Sequence, residues 1–384
     1  QGGFNWDFAD QALHRKPDFK PERSVADYDS IASDALRYYG RRMRLIHQYA
    51  YGGDFKPEDP SDNNFNCNGI IGPDRQLNPH AYEVAYQYQN IWVYPSGWLN
   101  NGKIKIYNEY FFRDLSNVKL EWSLLEDGKV VQQGEIQDLN IQPRQLKEYT
   151  LPIRTDCKGE QLLNVDFKLK KAEPLMAAGQ TIAYQQLNQF KANPVMVDAL
   201  LEGEKVKIKQ TKKSPYVEVK FKTASIKIDC QTGWITEYKA NGKFDLNIPT
   251  IRPNFWRAVT DNDMGANLQN TLNVWRHPQL NLTNIKVTKH GQANPSIIVS
   301  YELAELNTTL QMEYTLYQDG ALKVKEHMIP HANTELPDLL RFGVTLQLPF
   351  DMDKSKYYGR GPIENYADRK DCMRLGIYSQ TAYD

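Results

Sequence analysis

Along most of this chain apolar residues recur at every second position, in two long blocks separated by one plain stretch. In the first block Ile91-Trp92-Val93-Tyr94, Lys103-Ile104-Lys105-Ile106-Tyr107 and Leu120-Glu121-Trp122-Ser123-Leu124 alternate as half-buried strands do. Val130-Val131 follows the turn signal Asp127-Gly128, and residues 146–151, 162–169 and 181–189 continue the series. Short strands with frequent turn signals over about 100 residues predict an antiparallel immunoglobulin-like β-sandwich. Residues 189–200, with Pro194, are the best linker. Beyond them strands are expected at 206–208, 217–221, 226–228, Thr232-Gly233-Trp234-Ile235, 297–301, 309–316 and 321–328. Pairs such as Leu322-Lys323-Val324-Lys325 give these sheets one wet face, so 201–384 reads as a second, larger all-β domain.

Residues 1–88 follow a different rhythm. Ala26, Ile31, Ala35, Tyr38, Met43 and Ile46 lie near a 3.6-residue spacing, which predicts a helix within 25–51, interrupted around Gly40. A loop rich in Pro, Asp and Asn covers 57–68, and 79–86 reads as a short helix. The chain opens on Gln1-Gly2-Gly3-Phe4-Asn5-Trp6-Asp7-Phe8-Ala9-Asp10-Gln11, a strand-like aromatic run with acids at its end. Such a run suits sugar recognition, because an indole covers the C–H face of a pyranose while carboxylates and amides bind hydroxyls. The opening reads as a piece cut from a longer protein, and the end at Tyr383-Asp384, without a terminal strand pattern, reads the same way.

Composition narrows the function classes. Lys+Arg and Asp+Glu number 47 each and no basic block interleaves with aromatics, so nucleic acid is not an expected partner. Apolar runs fall far short of the roughly 20 residues that span a bilayer, so a soluble protein of cytoplasm or periplasm is expected, with no membrane partner. Cys67, Cys157, Cys230 and Cys372 are too scattered for a zinc site. Asp261-Asn262-Asp263-Met264-Gly265 echoes the start of a calcium loop, but Leu272 stands where the closing Glu is required. Gly359-Arg360-Gly361-Pro362 lacks the Gly-Lys-Ser/Thr ending of a phosphate loop. His327 and His331 sit in a strand-like context broken by Pro330, which favours surface histidines over a metal pair.

Four segments together resemble the β-galactosidases of glycoside hydrolase family 2, the large multidomain bacterial type. The opening run resembles their G-G-F-x-W-D-W-x-D-Q segment. Tyr51-Gly52-Gly53-Asp54-Phe55 with Asn64-Phe65-Asn66-Cys67-Asn68-Gly69-Ile70-Ile71 and Asp74-Arg75 resembles Y-G-G-D-F and F-x-x-N-G-(L/I)-V-x-x-D-R. Asn254-Phe255-Trp256-Arg257-Ala258-Val259-Thr260-Asp261-Asn262-Asp263-Met264-Gly265 is similar to F-W-R-x-x-x-D-N-D-x-G. Tyr358-Gly359-Arg360-Gly361-Pro362-Ile363-Glu364-Asn365-Tyr366-Ala367-Asp368-Arg369 is similar to G-x-G-P-x-E-N-Y-x-D-R. The chain departs from the pattern in a longer helical insert between Leu13 and Tyr51, in Phe8 and Ala9 where Trp and Val are common, and in the order Asn66-Cys67.

The resemblance implies a mainly β chain. The end of a (β/α)8 barrel (1–88) is followed by an immunoglobulin-like sandwich (89–188), the linker and a large sandwich similar to that of galactose mutarotase. It implies a C-terminal portion of a retaining β-galactosidase, with nucleophile and acid/base both upstream, so that this chain holds no catalytic residue and is inactive alone. Trp6 would stack on the galactoside, the alternative being a barrel-wall Trp. Phe65 and Asn68 would contribute oxygens to a sodium site, the alternative for Asn68 being a turn anchor. Magnesium would sit beside the upstream acid/base. Asp261, Asn262, Asp263 and Gly265 would form a mobile loop near the site, with Gly265 as hinge. Asp7, Asp10, Glu364 and Arg369 read as structural, and Asp62 as a solvated loop acid. The implied partners are the substrate, the missing N-terminal part and a possible second copy of the chain. Two other readings compete: a non-catalytic carbohydrate-binding or scaffold protein, and a β-glucuronidase or β-mannosidase of the same family.

Overall fold

The computed structural model describes residues 5–14, 49–52, 67–97, 101–154, 159–188, 206–210, 214–242, 244–246, 251–288 and 294–381. Phe65, Asp62, Cys157, the linker at 189–200 and most of the helix expected within 25–51 lie outside them. The last residues of that expected helix are extended: β2 (Tyr49–Ala50) pairs antiparallel with β1 (Leu13–His14). Helix α1 (Pro79–Gln87) forms where it is expected. Proline at its first turn has a pre-set φ and lacks only an N–H that would have no helical partner.

Seven strands then build the first sandwich: β3 (Ile91–Pro95), β4 (Lys103–Asn108), β5 (Val118–Glu126), β6 (Lys129–Ile136), β7 (Leu146–Thr150), β8 (Gln161–Leu169) and β9 (Thr181–Leu187). They form the sheets β3-β4-β7 and β6-β5-β8-β9. Alternation decides which side chains enter: Ile104 and Ile106 of one sheet meet Leu120, Trp122, Leu124, Val165 and Phe167 of the other in one buried cluster. Asp127 and Gly128 both take positive φ (48° and 75°), as a two-residue hairpin turn between right-twisted strands requires.

The second half contains β10 (Lys207–Lys209), β11 (Tyr216–Lys220), β12 (Ala224–Asp229), β13 (Ile235–Ala240) and β14 (Phe244–Leu246), a five-stranded meander. After β15 (Ile251–Asn254) come two short helices, α2 (Asp261–Gly265) and α3 (Leu268–Thr271). A second meander follows: β16 (Asn281–Thr288), β17 (Ser296–Leu303), β18 (Thr308–Leu316) and β19 (Leu322–Pro330). Strand β20 (Gly343–Leu346) pairs with β15. Val219, Ile226 and Ile228 of one meander share a core with Val299, Tyr301, Leu310 and Met312 of the other, the arrangement of a sandwich.

A last hairpin, β21 (Lys354–Gly361) and β22 (Arg374–Thr381), completes the described chain. Two compact units result, Gln1–Asn193 with Lys354–Asp384, and Pro194–Asp353. The stretch 201–384 is thus divided between them. The hairpin is fastened to the first sandwich by specific polar contacts. Arg374 grips Asp166 through two N–H···O bonds of 3.2 and 2.8 Å, and the Gln186 amide exchanges two 2.8 Å bonds with the Leu375 backbone. The Tyr184 hydroxyl donates to the Cys372 carbonyl at 2.9 Å, and the Cys372 N–H donates to Glu83 of α1 at 3.0 Å.

Gly134 on β6 lies directly against Trp122, where an added Cβ would stand 2.6 to 2.9 Å from the indole. Gly134→Ala is therefore expected to overpack this contact and cost about 1–3 kcal/mol. Urea unfolding followed by circular dichroism measures it, and an unchanged midpoint would contradict the close packing.

Candidate functional site

The opening run lies alongside residues 69–72 as the end of a parallel strand pair, bridged at Ala9 and Ile71. Ile70 N–H donates to the Asp7 carbonyl at 3.1 Å, Ile71 N–H to the Phe8 carbonyl at 3.0 Å, and Asp10 N–H to the Ile71 carbonyl at 2.9 Å. Adjacent parallel strands of this kind are the building unit of a barrel, and side chains at their ends form the site in barrel enzymes.

Gly69 ties the pair together. Its N–H donates to Asp10 Oδ1 at 2.6 Å, and its carbonyl accepts from Asn78 Nδ2 at 2.9 Å. The His80 ring nitrogen Nε2 lies 2.8 Å from the same carbonyl. A carbonyl oxygen can only accept, so Nε2 carries the proton. An added Cβ on Gly69 would stand 2.7 Å from the Ala9 carbonyl carbon and 2.8 Å from Asp10 Oδ1, so no other residue fits without parting the strands. Asp10 therefore positions backbone, and Asp7 adds its carbonyl to the strand pairing. A further bond links β2 to the following turn, where the Tyr49 hydroxyl donates to Asp74 Oδ2 at 2.7 Å. That bond to a carboxylate raises the Tyr49 pKa.

Trp6 projects from this fixed edge with 80% of its surface exposed, and the peptide joining it to Asp7 is cis. A fully offered indole is the arrangement that a sugar face can cover. Asn68, also exposed, immediately precedes the pinned glycine. Its amide oxygen is a hard neutral donor of the kind sodium accepts, but one such oxygen does not make a site. Among the described residues no group of three or more His, Cys, Asp or Glu side chains could hold a metal ion. The Gly69 contacts to Asn78 and His80 had no assigned role in the sequence reading; the one local signal was a glycine immediately before an apolar strand.

In the second unit Asp261, Asn262, Asp263 and Gly265 form helix α2 rather than an irregular loop. Thr260 and Asp263 make a reciprocal capping box: Asp263 N–H donates to Thr260 Oγ1 at 3.3 Å, and Thr260 N–H donates to Asp263 Oδ2 at 2.8 Å. Arg257 clasps the same carboxylate, with Nη2 3.1 Å from Oδ1 and Nη1 on Oδ2. The Arg257 guanidinium, with the Thr260 bonds, pulls the Asp263 pKa down to about 2. Asp263 is thus committed to holding its own turn. Gly265 does not take a positive φ and has open space around the position of a Cβ.

Of the remaining candidates, Arg369 pairs with Glu364 at 3.0 Å across the 361–374 turn region. The His331 ring bonds to Thr309 and Asn307 at 2.9 and 3.0 Å, while His327 faces Gln311 in the strand register and is exposed.

Three family models match the chain in order. They are "Glycosyl hydrolases family 2, TIM barrel domain" over residues 1–93, "Beta-galactosidase, domain 4" over 104–189 and "Beta galactosidase small chain" over 220–384. The chain is 31% identical to a beta-galactosidase of Priestia megaterium over 387 residues, covering 98% of this chain and 34% of the relative. It is 28% identical to one of Clostridium acetobutylicum over 385 residues (99% and 39%) and 27% identical to one of Halalkalibacterium halodurans over 393 residues (100% and 35%). The chain spans about a third of the length of the curated relatives it matches.

Three outcomes are expected from the pinned edge and the capped turn. Gly69→Ala should separate the strands at Asp10 and cost about 1–3 kcal/mol, with hydrogen exchange at Ile70 and Ile71 accelerating; unaltered protection there would refute the pinning. Asp263 has a native pKa below its unfolded value of about 3.9. Its stabilisation is therefore fully present above that unfolded value and lost as pH falls toward about 2. Asp263→Asn should accordingly be less stable than wild type at pH 6 and approach it near pH 2, read by urea midpoints. Thr260→Ala should cost about 1 kcal/mol by losing the cap.

Proposed function

The chain belongs to glycoside hydrolase family 2, and on that premise we propose that it is the C-terminal portion of a retaining β-galactosidase acting on terminal β-D-galactosides. The observation that carries the reading is the exposed Trp6 at the end of a strand whose register is locked by Asp10 and Gly69. Stacking needs an indole held at fixed height and orientation, because an aromatic surface that wanders costs ordering entropy on every binding event. A fixed barrel edge removes that cost.

In this reading Trp6 covers the apolar face of the galactose ring, and Asp10 acts on the site only through the backbone. Asn68, with Phe65, would lend oxygens to a sodium ion whose other ligands lie elsewhere in the protein; such an ion supplies a fixed positive charge for orienting a sugar hydroxyl. Magnesium would belong beside the acid/base. Hydrolysis with retention requires a nucleophilic carboxylate and an acid/base carboxyl roughly 5 to 5.5 Å apart, flanking the scissile bond. Both are assigned to the part of the protein outside these residues. The two sandwiches are scaffold.

The complete reading frame is expected to hydrolyse nitrophenyl-β-galactoside, whereas the purified 384-residue chain should show no turnover; turnover by the chain alone would refute the assignment of both carboxyls elsewhere. Trp6→Ala in the complete protein should lower kcat and raise KM, reducing kcat/KM by about tenfold or more, since the ring would contact the ground state and complement the transition state more closely still. Unchanged kinetics would remove Trp6 from the site. Asn68→Val should flatten the dependence of activity on sodium, and an unaltered sodium response would end its cation role.

A further inference from the structure

The edges of the five-stranded meander in the second unit are guarded. It ends on β10, with Lys207 and Lys209, and on β14, with Asp245, and charges of this kind oppose pairing with another chain. Strand β20 is different. Among the described residues it pairs with β15 alone, so its other edge is open. From Phe342 to Phe350 the sequence carries no charged residue, and the even positions Phe342, Val344, Leu346, Leu348 and Phe350 are all apolar. Phe342 stacks on the buried Phe255 at 5.8 Å, but Val344, Leu346 and Leu348 are 44, 53 and 38% exposed.

The strand register shows which backbone groups this edge offers. Pro253 lies opposite Val344 and has no N–H, so that pair exchanges no hydrogen bond. Arg252 with Thr345 and Asn254 with Gly343 are then the hydrogen-bonded pairs, and the odd residues of β20 direct their N–H and C=O groups to β15. Val344 and Leu346 turn theirs to the open edge. By the same alternation Pro349 falls in the inward series and removes no donor from that edge.

The residues along the edge are their own complement. About Leu346, an antiparallel copy sets Val344 beside Leu348, Phe342 beside Phe350 and Leu346 beside itself, all apolar pairs on one face. Arg341 stands at one end and Asp351 at the other, both exposed, so the same two-fold brings opposite charges together at both ends. A parallel copy would instead set Arg341 against Arg341 and Asp351 against Asp351. The turn closed by the 3.0 Å bond from Met352 N–H to the Pro349 carbonyl limits the pairing to this stretch.

We propose that β20 is a dimerisation edge, which pairs antiparallel with β20 of a second copy of this chain about a two-fold axis at Leu346. The pairing uses no residue of the Trp6 edge and stands whether or not the protein cleaves galactosides. The test is sedimentation velocity of the 384-residue chain over a range of concentrations, where a monomer–dimer equilibrium is expected. Leu346→Lys should abolish the dimer by setting a charge against its own copy. Arg341→Asp and Asp351→Arg should each weaken it about tenfold, since each leaves like charges at both ends. An equimolar mixture of these two variants should restore it, because the heterodimer regains an opposite pair at each end. The three side chains are exposed, and circular dichroism checks that each variant keeps its fold. A monomer at every concentration, a dimer indifferent to Leu346→Lys, or a mixture no tighter than either variant alone would each overturn the proposal. A monomeric chain whose Val344 and Leu346 amides resist exchange only in the complete reading frame would also overturn it, by giving the edge to another segment of the longer protein.

Discussion

The hydrogen bond from Gly69 N–H to the Asp10 carboxylate is the constraint on which the first unit turns. It sets the spacing of two parallel strand ends, and the same glycine's carbonyl holds Asn78 and His80 at the start of α1. Helix α1 then presents Glu83, which accepts from Gln87 within the helix and from the Cys372 backbone in the hairpin. Polar contacts therefore join the strand that carries Trp6 to the start of α1, and α1 to the hairpin. The bonds at Gly69 and at Cys372 are part-buried, where a lost partner leaves an unmet polar group rather than a hydrated one.

Apolar alternation does the rest. In both sandwiches the inward positions of adjacent strands meet in one cluster, and the polar groups on the outer faces are paired in rows. Lys119 and Lys168 flank Glu121 on the first sandwich, and Lys227 bridges to Glu237 on the second. These half-buried surface pairs add little to stability individually. Their arrangement opposes a one-residue slip, which would turn the charged row inward.

How much of this was legible varies with the range of the interaction that decides it. Strands such as β5, β8, β17 and β18 announce themselves because nearly every second residue is apolar. Strands β14 to β16 and β20 to β22 were not expected from the sequence. Pro253 interrupts β15, Thr283 and Asn284 blur the alternation of β16, and Gly359 and Gly361 remove side chains from β21. Tyr49 and Ala50 matched the end of a helical pattern, yet pairing with Leu13 and His14 decides their conformation. Trp6 and Asn68 were singled out through their motif, and Asp10 was expected to hold backbone, as its bond from the Gly69 N–H shows. The roles of His80 and Asn78 depend on a carbonyl about ten residues earlier and on a fold that no local pattern states. Asp263 reads as part of a loop until Thr260 and Arg257 are seen to close a capped turn around it.

The bond between Cys372 and Glu83 joins residues 289 positions apart. Pro194–Asp353, a unit with its own core, lies between them in the sequence. During vectorial synthesis the inserted unit can acquire its structure while the first is still incomplete, and the earlier sandwich must wait, with its docking face uncovered, until β22 has left the ribosome. Contacts of such long sequence separation form late and slowly. The return of the last described hairpin to helix α1, made 289 positions earlier at the Cys372–Glu83 bond, is thus an order-dependent step of folding.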